Sequence, residues 1–424
     1  MMHNKDIRAE AAIDAPHPVS QGFTPHGSGW EHTTTHVRPG LTSAVFDESR
    51  DIDRFLKRMV ELRGSDLHIK SGSSPKVRID GQITDLSREL LTPQAVDAIL
   101  MDVISERERE ALSRQMEVDF IYQLRGIGRF RVNVYQQMNG IAIAIRHIRV
   151  DIPSLPDLNL PPILAEMVDS PRGLILVTGA TGSGKSTTLA AMVETLNQSR
   201  AVNIITVEDP IEFTFKERKA TIQQREIGRD TPSWSEALRR ILRQDPDVIM
   251  LGEIRDGETM LTALTAANTG HLVLSTLHTM DAAQTVNRII SMVPMEMSNQ
   301  VRYMLAATLV GIVSQRLLPR ADGEGRIPAV EILVTTETIR KMIIDPEQTL
   351  EIRRAIFEGY GQYGMQTFDQ SLLALVRAGR ISLEDGLRFA SSATDFRIRL
   401  RGLDGAGAMA WNEDDVVPTH RKAH

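Results

Sequence analysis

The residues best suited to chemistry form one stretch, Gly179-Ala180-Thr181-Gly182-Ser183-Gly184-Lys185-Ser186, followed at once by Thr187. It satisfies G-x-x-x-x-G-K-[ST] at every fixed position. Glycines carry no Cβ, so main-chain N–H groups can turn inward around an anion. Lys185 would reach the β- and γ-phosphates of a nucleotide, and the Ser186 hydroxyl would ligate Mg²⁺. The motif needs a strand before it and a helix after it. Gly173-Leu174-Ile175-Leu176-Val177-Thr178 reads as a buried strand, and Thr187 to Leu196 reads as a helix. The N-terminus of that helix would add partial positive charge at the same point.

Three more groups end apolar runs further along. Glu208-Asp209-Pro210-Ile211-Glu212 stacks carboxylates that would be costly to bury without a cation. Mg²⁺ with its waters would supply that charge; a solvated acidic loop is the alternative. In Asp247-Val248-Ile249-Met250-Leu251-Gly252-Glu253, the terminal Glu253 is the first choice to polarise an attacking water. Glu208 would support it or hold the water shell of the metal. His271 and His278 bracket a fourth apolar run, and one or both would sense the γ-phosphate. Arg255 and Asp256 read as a surface pair rather than a restraint on Glu253. Arg239, Arg240 and Arg243 read as an ordinary basic helix face or as part of a subunit contact.

These groups need elements to position them. Strand-like runs at 174–178, 203–207, 248–252 and 272–276 alternate with helical segments, which implies a mostly parallel sheet covered on both faces. Ligands bind beyond the C-terminal ends of such strands, where every group above falls. Ahead lies an α+β domain over 49–150. Its parts are an amphipathic helix from Asp51, a hairpin signalled by Asp80-Gly81, helical sequence over 93–115, and strands near 118–122, 128–135 and 141–146. Alternation in the second of these strands sets Arg129, Arg131 and Asn133 on one face. A proline-punctuated linker over 151–163 precedes the α/β core at 164–330. Residues 331–400 read as short helices whose apolar positions, among them Ile339, Ile343, Leu350, Ile352, Phe368 and Leu372, belong to a core. Residues 1–48 and 401–424 read as tails without fixed structure. His26, His32 and His36 match no zinc spacing.

Composition narrows the classes. The chain has 424 residues, 42% hydrophobic and 25% charged, with a net charge of −6 and a pI near 6.0, which disfavours a generally basic nucleic-acid-coating protein. With 4% aromatic residues it also lacks the stacking rings of single-strand translocases. It has no cysteine, hence no disulfide and no thiolate zinc site. No run approaches the ~18 apolar residues of a membrane span, so the expected location is cytoplasmic.

Taken together, the phosphate loop, the Glu208–Glu212 box, Asp245 to Glu253 and Gly270-His271 to His278-Thr279 resemble the Walker A, Asp, Walker B and His boxes of the secretion-superfamily ATPases. Within that superfamily the chain is most similar to the PilT-like retraction ATPases of type IV pili. Gly64-Ser65-Asp66-Leu67-His68-Ile69, Gly128-Arg129-Phe130-Arg131-Val132-Asn133 and the stretch Gly364 to Leu372 carry that narrower likeness. The resemblance spans roughly residues 51–400, about one small α+β domain plus one α/β domain. It implies a RecA-like core, a smaller PAS-like N-terminal domain and a C-terminal helical segment. It further implies ATP and Mg²⁺ as cofactors, a homohexameric ring, an inner-membrane pilus platform protein as partner, a paralogous pilus ATPase as a second one, and attachment to the inner membrane through the pilus machine. Arg131 and Arg146 match the N-terminal arginines of the family that reach the phosphates. Extension and type II secretion ATPases usually carry a tetracysteine zinc insert, which this cysteine-free chain lacks. An Ala-Ile-Arg-Asn-type stretch is usual near the C-terminal domain; here it reads Thr338-Ile339-Arg340-Lys341.

Overall fold

A computed structural model describes residues 51–79, 81–148 and 151–402. Both tails, the three tail histidines and Asp80 of the expected hairpin lie outside the described residues.

The N-terminal region opens with helix α1 (Asp51–Glu61), which buries Ile52, Phe55, Leu56 and Met59, the positions its helical spacing brings to one face. Six strands follow: β1 (Asp66–Lys70), β2 (Lys76–Ile79), β3 (Gln82–Asp85), β4 (Glu117–Leu124), β5 (Gly128–Gln137) and β6 (Gly140–Ile148). They form one antiparallel sheet in the order β3-β2-β1-β6-β5-β4. Phe130, Val132 and Val134 point from β5 into a core shared with α1, while Arg129, Arg131 and Asn133 take the other face. The helical stretch expected over 93–115 is two helices, α2 (Pro93–Met101) and α3 (Glu106–Gln115). Ser105 divides them. Its hydroxyl accepts from the Glu108 N–H and the Glu108 carboxylate accepts from the Ser105 N–H, so a reciprocal cap starts a new helix within one apolar period.

Residues 151–162 are not a free tether. Leu155 and Leu160 are buried in the same cluster as strand residues Ile175 and Val177, so the prolines shape a strap packed on the next domain. Helix α4 (Ile163–Val168) leads into a seven-stranded sheet ordered β13-β12-β7-β11-β10-β8-β9. Its strands are β7 (Gly173–Thr178), β8 (Asn203–Glu208), β9 (Thr221–Glu226), β10 (Val248–Leu251), β11 (Leu272–Leu277), β12 (Leu309–Pro319) and β13 (Arg326–Val334). All pairs are parallel except β12 with β13. Helices α5 (Lys185–Ser199), α6 (Trp234–Ile241), α7 (Gly257–Asn268), α8 (Ala282–Ser291) and α9 (Ser298–Thr308) cover it. Alternate residues of the central strands go to opposite faces: Ile175, Val177 and Met250 lie with α4 and α5, and Leu174, Leu176 and Leu251 with α6 to α9. That two-sided burial is why the strands are continuous apolar runs.

Beyond come α10 (Glu337–Ile344), α11 (Ile352–Glu358), α12 (Tyr360–Tyr363), α13 (Phe368–Arg377), α14 (Leu383–Phe389) and α15 (Ala393–Leu400). The expected helical segment from 331 therefore starts inside a strand, since β13 runs to Val334. Of its expected core positions, Leu350 is 76% exposed, whereas Ile339, Ile343, Ile352, Phe368 and Leu372 are buried. Replacing the cap that separates α2 from α3, Ser105→Ala, should lower stability by about 1 kcal/mol in urea unfolding, with no change in the slope of stability against denaturant.

Candidate active site

The C-terminal edge of the parallel sheet gathers four loops. The phosphate loop leaves β7 after Thr178, Glu208 ends β8, Glu253 lies two residues past β10, and His278 is the first residue past β11. Register makes this unavoidable: β11 pairs β7 with Leu277 opposite Thr178, and β10 pairs β8 with Leu251 opposite Val207.

In the phosphate loop, Gly179, Gly182 and Gly184 have φ of 144°, 77° and 92°. At Gly179 a Cβ would also stand 2.4 Å from the Gln315 carbonyl oxygen, so both backbone and space require glycine. The Lys185 ammonium donates to the Gly179 and Ala180 carbonyls at 2.9 and 3.0 Å, folding the side chain back over the loop. Burial lowers its pKa, opposed by the charges of Glu253 and Glu212. Helices α2, α3, α6, α7 and α8 each start with a Ser, Thr or Asp side chain on a first-turn N–H. Helix α5 starts at Gly184 with no side-chain cap, which leaves its first-turn N–H groups to an anion. Ser186 and Thr187 sit in that turn, half-buried.

Glu208 is 6% exposed. Its carboxylate accepts from Thr206 Oγ1 at 2.7 Å, Gln224 Nε2 at 3.1 Å and the Glu212 N–H at 3.4 Å. Burial pushes its pKa up to about 7, although the hydrogen bonds pull the other way. A carboxylate desolvated this far is the state a divalent ion would relieve. Glu253, in contrast, is salt-bridged: Arg255 pairs with one oxygen, and His278 Nε2 lies 3.2 Å from the other. The expected Arg255–Asp256 pair is absent. Asp256 instead caps α7 through Thr259, and Arg255 also lies 3.9 Å from Asp209. Arg239 pairs with Glu258 and Arg240 with Glu236, so two of the three helix-face arginines are neutralised within the chain.

The two histidines part company. His278 joins Glu253, but His271 precedes β11 and lies at the opposite edge of the sheet. Its carbonyl accepts from the Gly173 N–H, and its ring Nδ1 donates to the Ala266 carbonyl at 2.9 Å. The six-residue strand between them spans roughly 20 Å. His271 is a helix-end residue, and a role at the γ-phosphate is excluded for it. Sequence spacing put both at strand ends but could not say which end carries the loops until strand direction was set.

Arg131 and Arg146 are cross-strand neighbours on β5 and β6. Each is held by its own sheet, Arg131 by Asp119 at 3.2 Å and Arg146 by Asp66 at 2.8 Å. Burial raises the Asp66 pKa, but hydrogen bonds from Arg146 and Ser65 bring it below the usual range. Arg129, on the same face of β5 as Arg131, is the N-terminal arginine whose surroundings include charges of the second domain. Burial lowers its pKa, and the charges of Arg229, Glu226, Asp230 and Glu208 all act on it. Its Nε is buried with no partner. Alternation along β5 placed Arg129 on that face; nothing in the spacing singled it out.

A glycine loop opening an uncapped helix, with a carboxylate and an imidazole from the two adjoining loops, defines a P-loop ATPase on a RecA-like sheet. Residues 47–388 match the family described as Type II/IV secretion system protein, and the chain belongs to that family as a PilT-like member. It is 41% identical over 346 residues to the type IV pilus retraction ATPase PilT of Pseudomonas aeruginosa, covering 82% of this chain and 100% of that one. It is 39% identical over 351 residues to the type IV pilus ATPase PilU of the same organism, covering 83% and 91%. A crystal structure of the pilus retraction motor PilT with bound ADP superposes with a TM-score of 0.74 at 44% identity, covering 81% of this chain and 97% of that one. Among the described residues no helix is long and apolar enough to cross a membrane.

The raised Glu208 pKa has a sign that can be checked. Its carboxyl binds a proton more tightly folded than unfolded, so its contribution to stability is present below the unfolded value of 4.5 and is lost as pH rises through about 7. Relative to Glu208→Gln, the wild type should lose at most about 1 kcal/mol per pH unit across that window in thermal melts. A parallel pH dependence of the two proteins would refute the assignment.

Proposed function

We propose that the chain is a Mg²⁺-ATP-driven ring motor that powers type IV pilus retraction. The observation that carries this reading is the assembly of Lys185, Glu208, Glu253 and His278 at one sheet edge, in a chain that aligns with the whole length of a protein named as a pilus retraction ATPase. Lys185 and the uncapped start of α5 would hold the β- and γ-phosphates. Ser186 would hold Mg²⁺ directly and Glu208 through water, a donor set suited to an ion that keeps several waters. The bound ion supplies charge neutralisation at the terminal phosphates. Glu253 would take a proton from the attacking water, with Arg255 and His278 fixing its carboxylate. Release of the phosphate would be felt first by His278, which connects Glu253 to the start of α8.

Arg129 is the N-terminal residue this geometry favours for joining the two domains over the nucleotide. Arg131 and Arg146, the positions matching the family pattern, would have to leave Asp119 and Asp66, or act on the site of a neighbouring subunit in a homohexamer. A pilus platform protein at the inner membrane would receive the motion, with no nucleic acid involved. The near-equal likeness to PilU favours a second reading, an accessory retraction ATPase that works beside a paralogous motor.

Glu253→Gln should bind ATP with near wild-type affinity and lose turnover by about a hundredfold or more. Lys185→Ala should lose nucleotide binding itself. Retention of turnover in Glu253→Gln would refute the base assignment. In the organism, deletion of the gene should abolish twitching while pili persist on the surface, and Glu253→Gln should fail to complement. Normal twitching in the deletion strain would overturn the main-motor reading in favour of the accessory one.

A further inference from the structure

Strand β13 buries one ionisable side chain in an otherwise apolar run. Ile327, Ala329, Val330, Ile332 and Leu333 are buried hydrophobics, and Glu331 stands among them at 4% exposed. Strand alternation puts its side chain on the face of Leu333, which clusters with Ala282, Val286 and Ile289 of α8. A carboxyl group is costly there, where a leucine would pack without that cost. Burial pushes its pKa up to about 7; the Ala282 N–H pulls the other way, Asp281 adds to the rise, and Arg353 and Arg316 oppose it.

Its carboxylate accepts from the Ala282 N–H at 2.9 Å, the first amide of α8. The Asp281 cap serves a later amide, that of Gln284, at 2.8 Å. Thr279 shares a 2.7 Å hydrogen bond with the Thr285 hydroxyl, which donates to the Asp281 carbonyl. The loop after β11 and the first turn of α8 are thus bonded to each other, and Glu331 bonds them to a second strand. The same loop opens with His278, whose Nε2 lies 3.2 Å from Glu253. On β13, both neighbours of Glu331 are bonded to the C-terminal helical segment. The Val330 N–H donates to Ser371 Oγ at 3.1 Å, and the Val330 carbonyl accepts from Gln366 Nε2 at 3.0 Å. Ile332 exchanges two main-chain hydrogen bonds with Gln366.

We infer that Glu331 is a positioning residue for the ATPase site. By anchoring the first amide of α8 to β13, it sets where the loop after β11 places His278 against Glu253, and it ties that placement to the C-terminal helices. The anchoring stands on the geometry of β13 and α8; its effect on turnover rests on the roles given to His278 and Glu253 above.

Glu331→Leu removes the acceptor but suits the apolar strand, so it should melt at or above the wild-type temperature. Its kcat should fall roughly tenfold while the KM for ATP stays within about twofold. Glu331→Gln keeps an oxygen for the Ala282 N–H and should turn over within about twofold of wild type. In a His278→Ala background the leucine change should cost less than about twofold more, because the residue it acts through is gone. Hydrogen exchange over residues 279–286 should quicken in Glu331→Leu and match wild type in Glu331→Gln, whether or not turnover depends on His278. Wild-type exchange in Glu331→Leu would overturn the anchoring. Unchanged turnover in Glu331→Leu, an equal loss in Glu331→Gln, or a full further loss in the His278→Ala background would overturn the positioning role. So would a Glu331→Leu chain that melts well below wild type and loses nucleotide affinity along with turnover, the mark of a purely structural residue. A wild-type rate in His278→Ala would refute the role given to that histidine, and with it the effect of Glu331 on turnover, while the exchange result would still decide the anchoring.

Discussion

The structure depends on one close approach, that of the phosphate loop to strand β12. Gly179 lies so near the Gln315 carbonyl that no side chain fits between them. The Gln315 amide donates to the Ser183 carbonyl at 3.0 Å, and Thr178 donates to Ser314 at 2.8 Å beneath the loop. The loop is therefore shaped by its neighbour in the sheet as much as by its own glycines. This is a tertiary constraint imposed by residues more than 130 positions away in sequence. It fixes the backbone of the loop where it passes β12.

Around that fixed loop the acids sit in two different surroundings. Glu208 is desolvated with only neutral donors around it, whereas Glu253 is flanked by Arg255 and His278. Two carboxylates in unlike surroundings can perform unlike tasks in the same pH range. Arg129 brings the opposite sign from the other domain, itself desolvated and acted on by Glu226, Asp230 and Glu208.

Much of this was legible in the sequence because it is local. The motif Gly179–Ser186 fixes strand, turn and helix within twenty residues, and each apolar run at 174–178, 203–207, 248–252 and 272–276 became a strand of the sheet. What the sequence could not supply was direction and partnership. His271 and His278 look equivalent until parallel pairing puts them at opposite edges. Arg255 looks like the partner of Asp256 until the turn after β10 swings it onto Glu253. Strand β9, at one edge, is hard to see because its run is polar, and the inner strand β12 because it continues without a break from a helix. Helix α9 passes into β12 between Thr308 and Leu309 with no turn residue to mark the change.

The antiparallel pair β12–β13 has a consequence for how the molecule can be divided. Nine register pairs join these strands, from Gly311 with Val334 to Pro319 with Arg326, and Ile332 exchanges hydrogen bonds with Gln366 just before α13. The C-terminal helices are thus sewn to the same ladder that supports the phosphate loop, and they must travel with it as a single piece. A protease cut or an engineered boundary near residue 331 would strip half of β13 and leave β12 with a long, apolar, unpaired edge, which is an invitation to aggregation. The smallest fragment expected to keep the nucleotide-binding sheet closed runs past Gln366 into α13.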